Sequence, residues 1–137
     1  MAPIRLFGSA LLAIWTKFPS SVRAGTYTFL QMIGRKIYGE TPESQTVQRL
    51  PFGLYLKRSR DYDGFRNEFN AMKLVAQHTT IPVPRPIDVV PLPGNGQRYG
   101  YLLMGSVPGK PFYLCGDIMS DKDFSDITAQ MQDYIAQ

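Results

Sequence analysis

The sequence has one cysteine, Cys115, and one histidine, His78. A lone thiol excludes an intramolecular disulfide framework and a zinc site built on clustered cysteines. A lone imidazole argues against a two-histidine metal centre and against a Ser-His-Asp hydrolase. No apolar run reaches the roughly 18 residues that a bilayer-spanning helix needs. Charged residues are sparse at 19%, against 44% hydrophobic, a balance that disfavours intrinsic disorder. No internal repeat is visible, so a solenoid is not expected.

The 137 residues suit one domain of ordinary size or a piece of a larger one. Eleven prolines and twelve glycines point to short elements and many turns. The net charge of +4 is uneven: residues 1–60 hold nine Lys/Arg against Glu40 and Glu43, and the remainder is net acidic. Nucleic-acid binding would require a denser basic stripe interleaved with aromatics, so no nucleic-acid partner is expected. The basic half reads as a solvated face, and an anionic small ligand near it stays open.

The stretch from Leu6 to Trp15 is apolar throughout and follows Arg5, with Val22, Arg23 and Ala24 resembling a small-residue cleavage site. Two readings stand: a weak secretory signal, or a helix packed at the edge of the domain. The helix is favoured, because one basic residue is a poor n-region and Lys17, Pro19 and Arg23 crowd the approach to the site. A cytoplasmic protein is therefore expected, with secretion as the alternative and membrane association disfavoured.

Farther along, Ser20 or Ser21 can cap a helix over 22–38, with Val22, Thr26, Phe29, Leu30, Ile33 and Ile37 as its apolar stripe and Gly39 as its stop. Thr41 to Gln45 reads as a loop. Two short runs, 46–50 and 54–58, flank Pro51-Phe52-Gly53 and predict a β-hairpin. In its second strand Tyr55 and Lys57 share one face, and Leu54 and Leu56 the other. Residues 64–77 predict a helix with Phe65, Met72, Val75 and Ala76 as its stripe. Glu68 falls inside that stripe, where a carboxylate is expensive unless paired. The prolines of 81–86 forbid helix and lead into a strand at 87–90. Pro93-Gly94-Asn95-Gly96 marks a turn, and 99–104 a strand too apolar to be exposed on both sides. Ser120 and Asp123 fit a capping box opening a last helix, with Phe124, Ile127, Met131, Tyr134 and Ile135 as its apolar face. The layout is α+β with a small antiparallel sheet.

A strand lysine and a carboxylate eleven residues on, along the next helix, are the two ends of a candidate ion pair. Glu68 would gain a partner and Lys57 a fixed direction. In phosphoryl-transfer enzymes such a pair aims the ammonium at nucleotide phosphates; elsewhere it is a structural salt bridge. Spacing alone leaves both open. Asp88, Asp117 and Asp121 show no partner pattern and read as surface or capping residues.

Five ordered segments carry a resemblance. They are Val47 to Arg58, Asn67-Glu68 with Asn70 to Val75, Ile81 to Pro86, Tyr101 to Met104, and Val107 to Phe112. Over roughly residues 20–137 the chain resembles the N-terminal part of aminoglycoside phosphotransferase-like proteins, most of all fungal members of that family. The resemblance implies a protein-kinase-like fold: an apolar segment (1–20), a kinase-like N-lobe (21–107), and a hinge exit with the first helix of a C-lobe (108–137). It implies that Lys57 contacts phosphates, that Glu68 is its helix partner, that Met104 is the gatekeeper, and that Gly105, Ser106 and Val107 form the hinge that meets adenine. ATP with Mg²⁺ would be the ligand, and a small molecule bearing a hydroxyl the acceptor.

Two departures qualify this. The loop 39–45 has a single glycine, so it lacks the Gly-rich phosphate cradle of kinases. The His-Gly-Asp catalytic loop and the later metal-binding Asp of the family would lie beyond Gln137. The expectation is thus a truncated nucleotide-binding lobe of an ATP-dependent small-molecule kinase, inactive alone and binding ATP weakly or not at all. The alternative is a non-catalytic module that pairs with itself or with a separate C-lobe through exposed apolar surface at Tyr101, Leu103, Phe112, Tyr113 and Leu114.

Overall fold

The computed structural model describes residues 2–40, 46–93, 98–107 and 115–137. The expected loop at 41–45, the centre of the turn at 94–97, and the expected hinge exit with Phe112, Tyr113 and Leu114 lie outside them. The described residues form four α-helices and one four-stranded antiparallel sheet: α1 (Ala2–Trp15), α2 (Ser20–Tyr38), β1 (Val47–Leu50), β2 (Leu54–Ser59), α3 (Tyr62–His78), β3 (Pro86–Pro91), β4 (Gly100–Gly105) and α4 (Asp121–Ile135). This is the expected α+β class.

The strands lie in the order β1-β2-β4-β3. β1 and β2 form the expected hairpin, with Leu50 opposite Leu54 and Val47 opposite Lys57. Their turn is a 3₁₀ segment, Pro51–Gly53, in which Phe52 and Gly53 both take left-handed backbone angles. β4 then inserts between β2 and β3, pairing Lys57 with Leu102 and Tyr101 with Val90.

Strand alternation gives the sheet two apolar faces, and each receives a helix. Leu50, Leu56, Val90, Tyr101 and Leu103 share one face and pack with Ala24 and Tyr27 of α2. Leu102 points the other way and packs with Phe65 and Met72 of α3. Leu50, Leu56, Leu102 and Val90 are wholly removed from solvent, each contributing about 1.5–3 kcal/mol of burial.

α2 buries only part of the stripe that periodicity indicated. Leu30 packs against the core and Thr26 and Ile33 are half-buried, but Val22, Phe29 and Ile37 are exposed, while Ala24, Tyr27 and Gly34 face the sheet. The reason is close approach: a Cβ on Gly34 would collide with the Arg49 carbonyl oxygen. Small residues let the helix backbone rest on β1, and the bulky residues are left on the outer side. Its N-cap is Pro19, with no side-chain cap from Ser20 or Ser21. Gly39 ends it with a positive φ of 72°.

This cover also takes two residues out of the expected partner surface. Tyr101 and Leu103 are core residues, 2% and 4% exposed, because α2 occupies the face that was expected to be open. α1 joins the same core through Trp15, whose ring meets Tyr27 edge-on at 6.2 Å between centroids. Ala24, within the suspected cleavage site, is buried in the middle of a packed helix.

α4 opens on the expected capping box: the Asp123 amide donates to Ser120 Oγ, and the Ser120 amide to Asp123 Oδ2. It buries no residue, and Met131 and Ile135 of its apolar face are open to solvent. Its end is tied to the turn after α3, where the Thr80 amide donates to Gln137 Oε1 at 2.9 Å. Among the described residues, no helix is long and apolar enough to cross a membrane.

Candidate functional site

β2 presents Lys57 on the α3 side of the sheet, in the same row as Tyr55 and opposite Leu102. α3 starts where Asp61 caps it, its Oδ1 accepting from the Gly64 amide at 2.8 Å. Two turns in, Glu68 lies three residues after Phe65 and four before Met72, the two residues that anchor the helix to the sheet. The anchoring swings the carboxylate over the strand. Lys57 Nζ donates to Glu68 Oε1 at 2.6 Å.

The two side chains are 32% and 38% exposed, so the pair sits at a wet rim and not in the core. Glu68 therefore interrupts the α3 stripe at its edge, and Ala76, expected in the stripe, is exposed. An ammonium held at one end by a carboxylate, with its other hydrogens toward solvent, can accept an incoming anion without losing its position.

At the other end of β2 lie the remaining expected residues. Met104 is buried and stands opposite Tyr55. Gly105 is half-buried, and Ser106 and Val107 are exposed. The Gly105 amide donates to the Arg85 carbonyl at 2.9 Å and the Ser106 amide to the Gly53 carbonyl at 3.1 Å. Those two donors are engaged by the protein itself. The structure thus brings Lys57 and Glu68 into contact and sets Met104, Gly105, Ser106 and Val107 two to five residues along the chain from Leu102, the partner of Lys57.

Among the described residues, no three or more of His, Cys, Asp and Glu gather where they could hold a metal. His78 is exposed at the end of α3. Asp117 and Asp121 are exposed, as expected of surface or capping residues.

Asp88 is the residue that the sequence misplaced. It is 5% exposed, not on the surface. Its Oδ1 accepts from Arg23 Nη1 at 2.5 Å, and its Oδ2 from the Tyr27 hydroxyl at 2.6 Å. Tyr27 in turn accepts from Trp15 Nε1 at 2.7 Å. Burial, then the bond to Asp88, push the Tyr27 hydroxyl well above the ordinary tyrosine range. The network ties α1, α2 and β3 together and faces away from Lys57. Its only signal in the sequence was an acid within an otherwise apolar strand.

No protein-family model, curated protein or solved structure matches the chain.

Proposed function

We propose that this chain is a nucleotide-binding module, equivalent to the N-lobe of an aminoglycoside phosphotransferase-like kinase. The observation that carries the reading is the 2.6 Å contact between Lys57 and Glu68 across the strand–helix boundary. A strand lysine oriented by a carboxylate on the following helix is the device by which kinases direct an ammonium at nucleotide phosphates. In this reading Lys57 meets the α- and β-phosphates of ATP, Met104 closes the back of the base pocket, and Gly105, Ser106 and Val107 border the adenine. Because the Gly105 and Ser106 amides are engaged, the Val107 amide is the donor assigned to the base.

The proposed role is binding, not turnover. Phosphoryl transfer also requires a base or orienting carboxylate and metal ligands placed around the phosphates. Beside Lys57 stands Glu68, and among the described residues no three or more potential metal ligands gather. Affinity is accordingly expected to be weak, with a Kd on the order of millimolar, equivalent to about −4 kcal/mol. Calorimetric titration of MgATP into the wild type and into Lys57→Ala tests the reading. Weak binding that disappears in the variant supports it; binding indifferent to the substitution refutes it.

A second reading, a non-catalytic interaction module, is favoured by the outer side of α2. Phe29, Met32 and Ile37 are about 60% exposed there on one helix, an apolar concentration of the kind that partners cover. Light scattering over a range of concentrations, on wild type and Phe29→Ser/Met32→Ser, tests it. Association lost in the double variant supports this reading, and a strict monomer opposes self-association.

A further inference from the structure

β1 is an edge strand and is shorter than its neighbour. Its last pair is Val47 with Lys57, yet β2 runs on to Ser59 and the chain continues through Arg60. Past Lys57, β2 has β4 on one side and, among the described residues, no paired strand on the other, although the Arg58 amide still reaches the Thr46 carbonyl. Here Lys57 to Arg60, Phe65 near the start of α3, and Gln31 and Arg35 of α2 border a notch at the sheet corner.

That notch is a cleft of about 630 Å³, within the size range of small-molecule sites. Its walls are strongly basic. Arg58 and Arg60 come from β2 and its continuation, and Arg35 comes from the last turn of α2. Both β2 guanidinium groups lie over the ring of Tyr99, at 5.6 and 5.7 Å from its centroid, a stacking that orients them without neutralising them. Neither has a carboxylate partner among the described residues. Arg35 has only a long contact with exposed Glu40 at 3.8 Å. Ser59 and Gln31 add neutral polar groups to the lining.

Alternation along β2 separates these arginines from the ion pair. Arg58 shares its face with Leu56, on the α2 side, whereas Lys57 is on the α3 side. Lys57 also borders the cleft, held in place by Glu68, so the arginines and not the lysine distinguish this cleft from the nucleotide reading.

We propose that this cleft binds a small molecule carrying two phosphate groups on a hydroxylated body. The guanidinium fork suits phosphate oxygens in pairs. Cations come from two elements, Arg35 from α2 and Arg58 with Arg60 from β2 and its continuation, so more than one anionic group can be matched. The neutral polar groups beside them suit hydroxyls. A cleft of this size fits a compact ligand and not an extended strand of nucleic acid, whose binding needs a continuous basic track.

The test is calorimetric titration of the full chain with a sugar bisphosphate and with the corresponding monophosphate. The bisphosphate is expected to bind at least about tenfold tighter, since its second phosphate adds a charge-assisted contact. Arg58→Gln/Arg60→Gln should weaken it by about tenfold or more, while Arg58→Lys/Arg60→Lys, which keeps the charge, should retain part of the affinity. Unchanged circular dichroism in both variants would show that the fold is intact. No binding at millimolar bisphosphate, equal affinity for the two sugars, or indifference to the Arg-to-Gln change would overturn the proposal. Vesicles containing a bisphosphorylated inositol lipid separate the two sources of the same chemistry: sedimentation with them assigns a headgroup, and binding of the free sugar alone assigns a soluble metabolite. Loss of bisphosphate binding in Arg58→Gln/Arg60→Gln with MgATP binding retained would show two sites.

Discussion

Tyr27 donates its hydroxyl to Asp88 Oδ2 at 2.6 Å, joining a helix to a strand 61 residues away. The acid also accepts a hydrogen bond from the Arg23 guanidinium, so its charge is matched and both of its oxygens are used. Removing one partner strands the others. Asp88→Ala is expected to cost about 3–5 kcal/mol, because Arg23 would remain mostly buried with no counter-charge. Tyr27→Phe is expected to cost about 1–3 kcal/mol, leaving one Asp88 oxygen and the Trp15 indole N–H unsatisfied. Urea denaturation of the two variants measures both losses.

The same tyrosine sets an alkaline limit. Its folded-state pKa lies above the unfolded value, raised first by burial and then by the bond to Asp88. The contribution is therefore complete below about pH 10 and declines as the pH rises beyond it. Wild type should lose stability above that pH, and Tyr27→Phe should show a flatter alkaline limb in the same denaturation series.

Lys57 and Glu68 form a partly exposed pair, and such pairs add little to stability. Glu68→Gln is expected to change unfolding free energy by less than about 1 kcal/mol. If the nucleotide reading holds, the same substitution weakens MgATP binding by releasing Lys57 from its fixed direction. A large stability loss with no change in binding would reduce the pair to a structural brace.

Gly34 touches the backbone of β1, and the space for a side chain is taken by a carbonyl group. Backbone cannot turn aside as a flexible side chain can. Gly34→Ala should therefore destabilise by about 1–3 kcal/mol despite the higher helix propensity of alanine. Gly25, on the same helix with open space around it, provides the control: Gly25→Ala should be stabilising. Thermal melts of the two variants should move in opposite directions.

The capping box of α4 gives an acid-side prediction. The Ser120 backbone and then its side chain hydrogen-bond Asp123 and lower its pKa. The contribution is present above the unfolded carboxylate value and lost as the pH falls through the lower folded one. Amide exchange in the first turn of α4 should accelerate below about pH 4, and Ser120→Ala should bring on that fraying at neutral pH. Because α4 buries no residue, the change is expected locally and not in the global melt.

Local chemistry was the legible part of this chain. The Pro-Phe-Gly turn, the Gly39 stop, the prolines before β3 and the Ser120–Asp123 box act on neighbouring backbone, and each element they bound is present. The ion pair was legible because strand alternation and helix spacing sufficed to aim Lys57 and Glu68. What failed depended on depth. Val22, Phe29 and Ile37 carry the stronger hydrophobic signal, but Ala24 and Gly34 allow a closer approach, and approach decided which side of α2 faces inward. Asp88 and Tyr101 are buried by a helix more than 50 residues earlier, which no local window includes. The basic cleft brings Arg35 of α2 together with Arg58 and Arg60, a juxtaposition that appears only once helix and sheet are packed.

The glycine at position 34 has a neighbour of consequence. Arg35 follows it directly, so the wall of the basic cleft begins where helix and sheet meet main chain to main chain. How far the mouth stands open is then set by seating depth, with little left to side-chain rotation. A methyl group at position 34 would act as a shim, lifting that wall and widening the gap between its cation and those across it, and ligand grip would be altered from a residue that never meets the ligand.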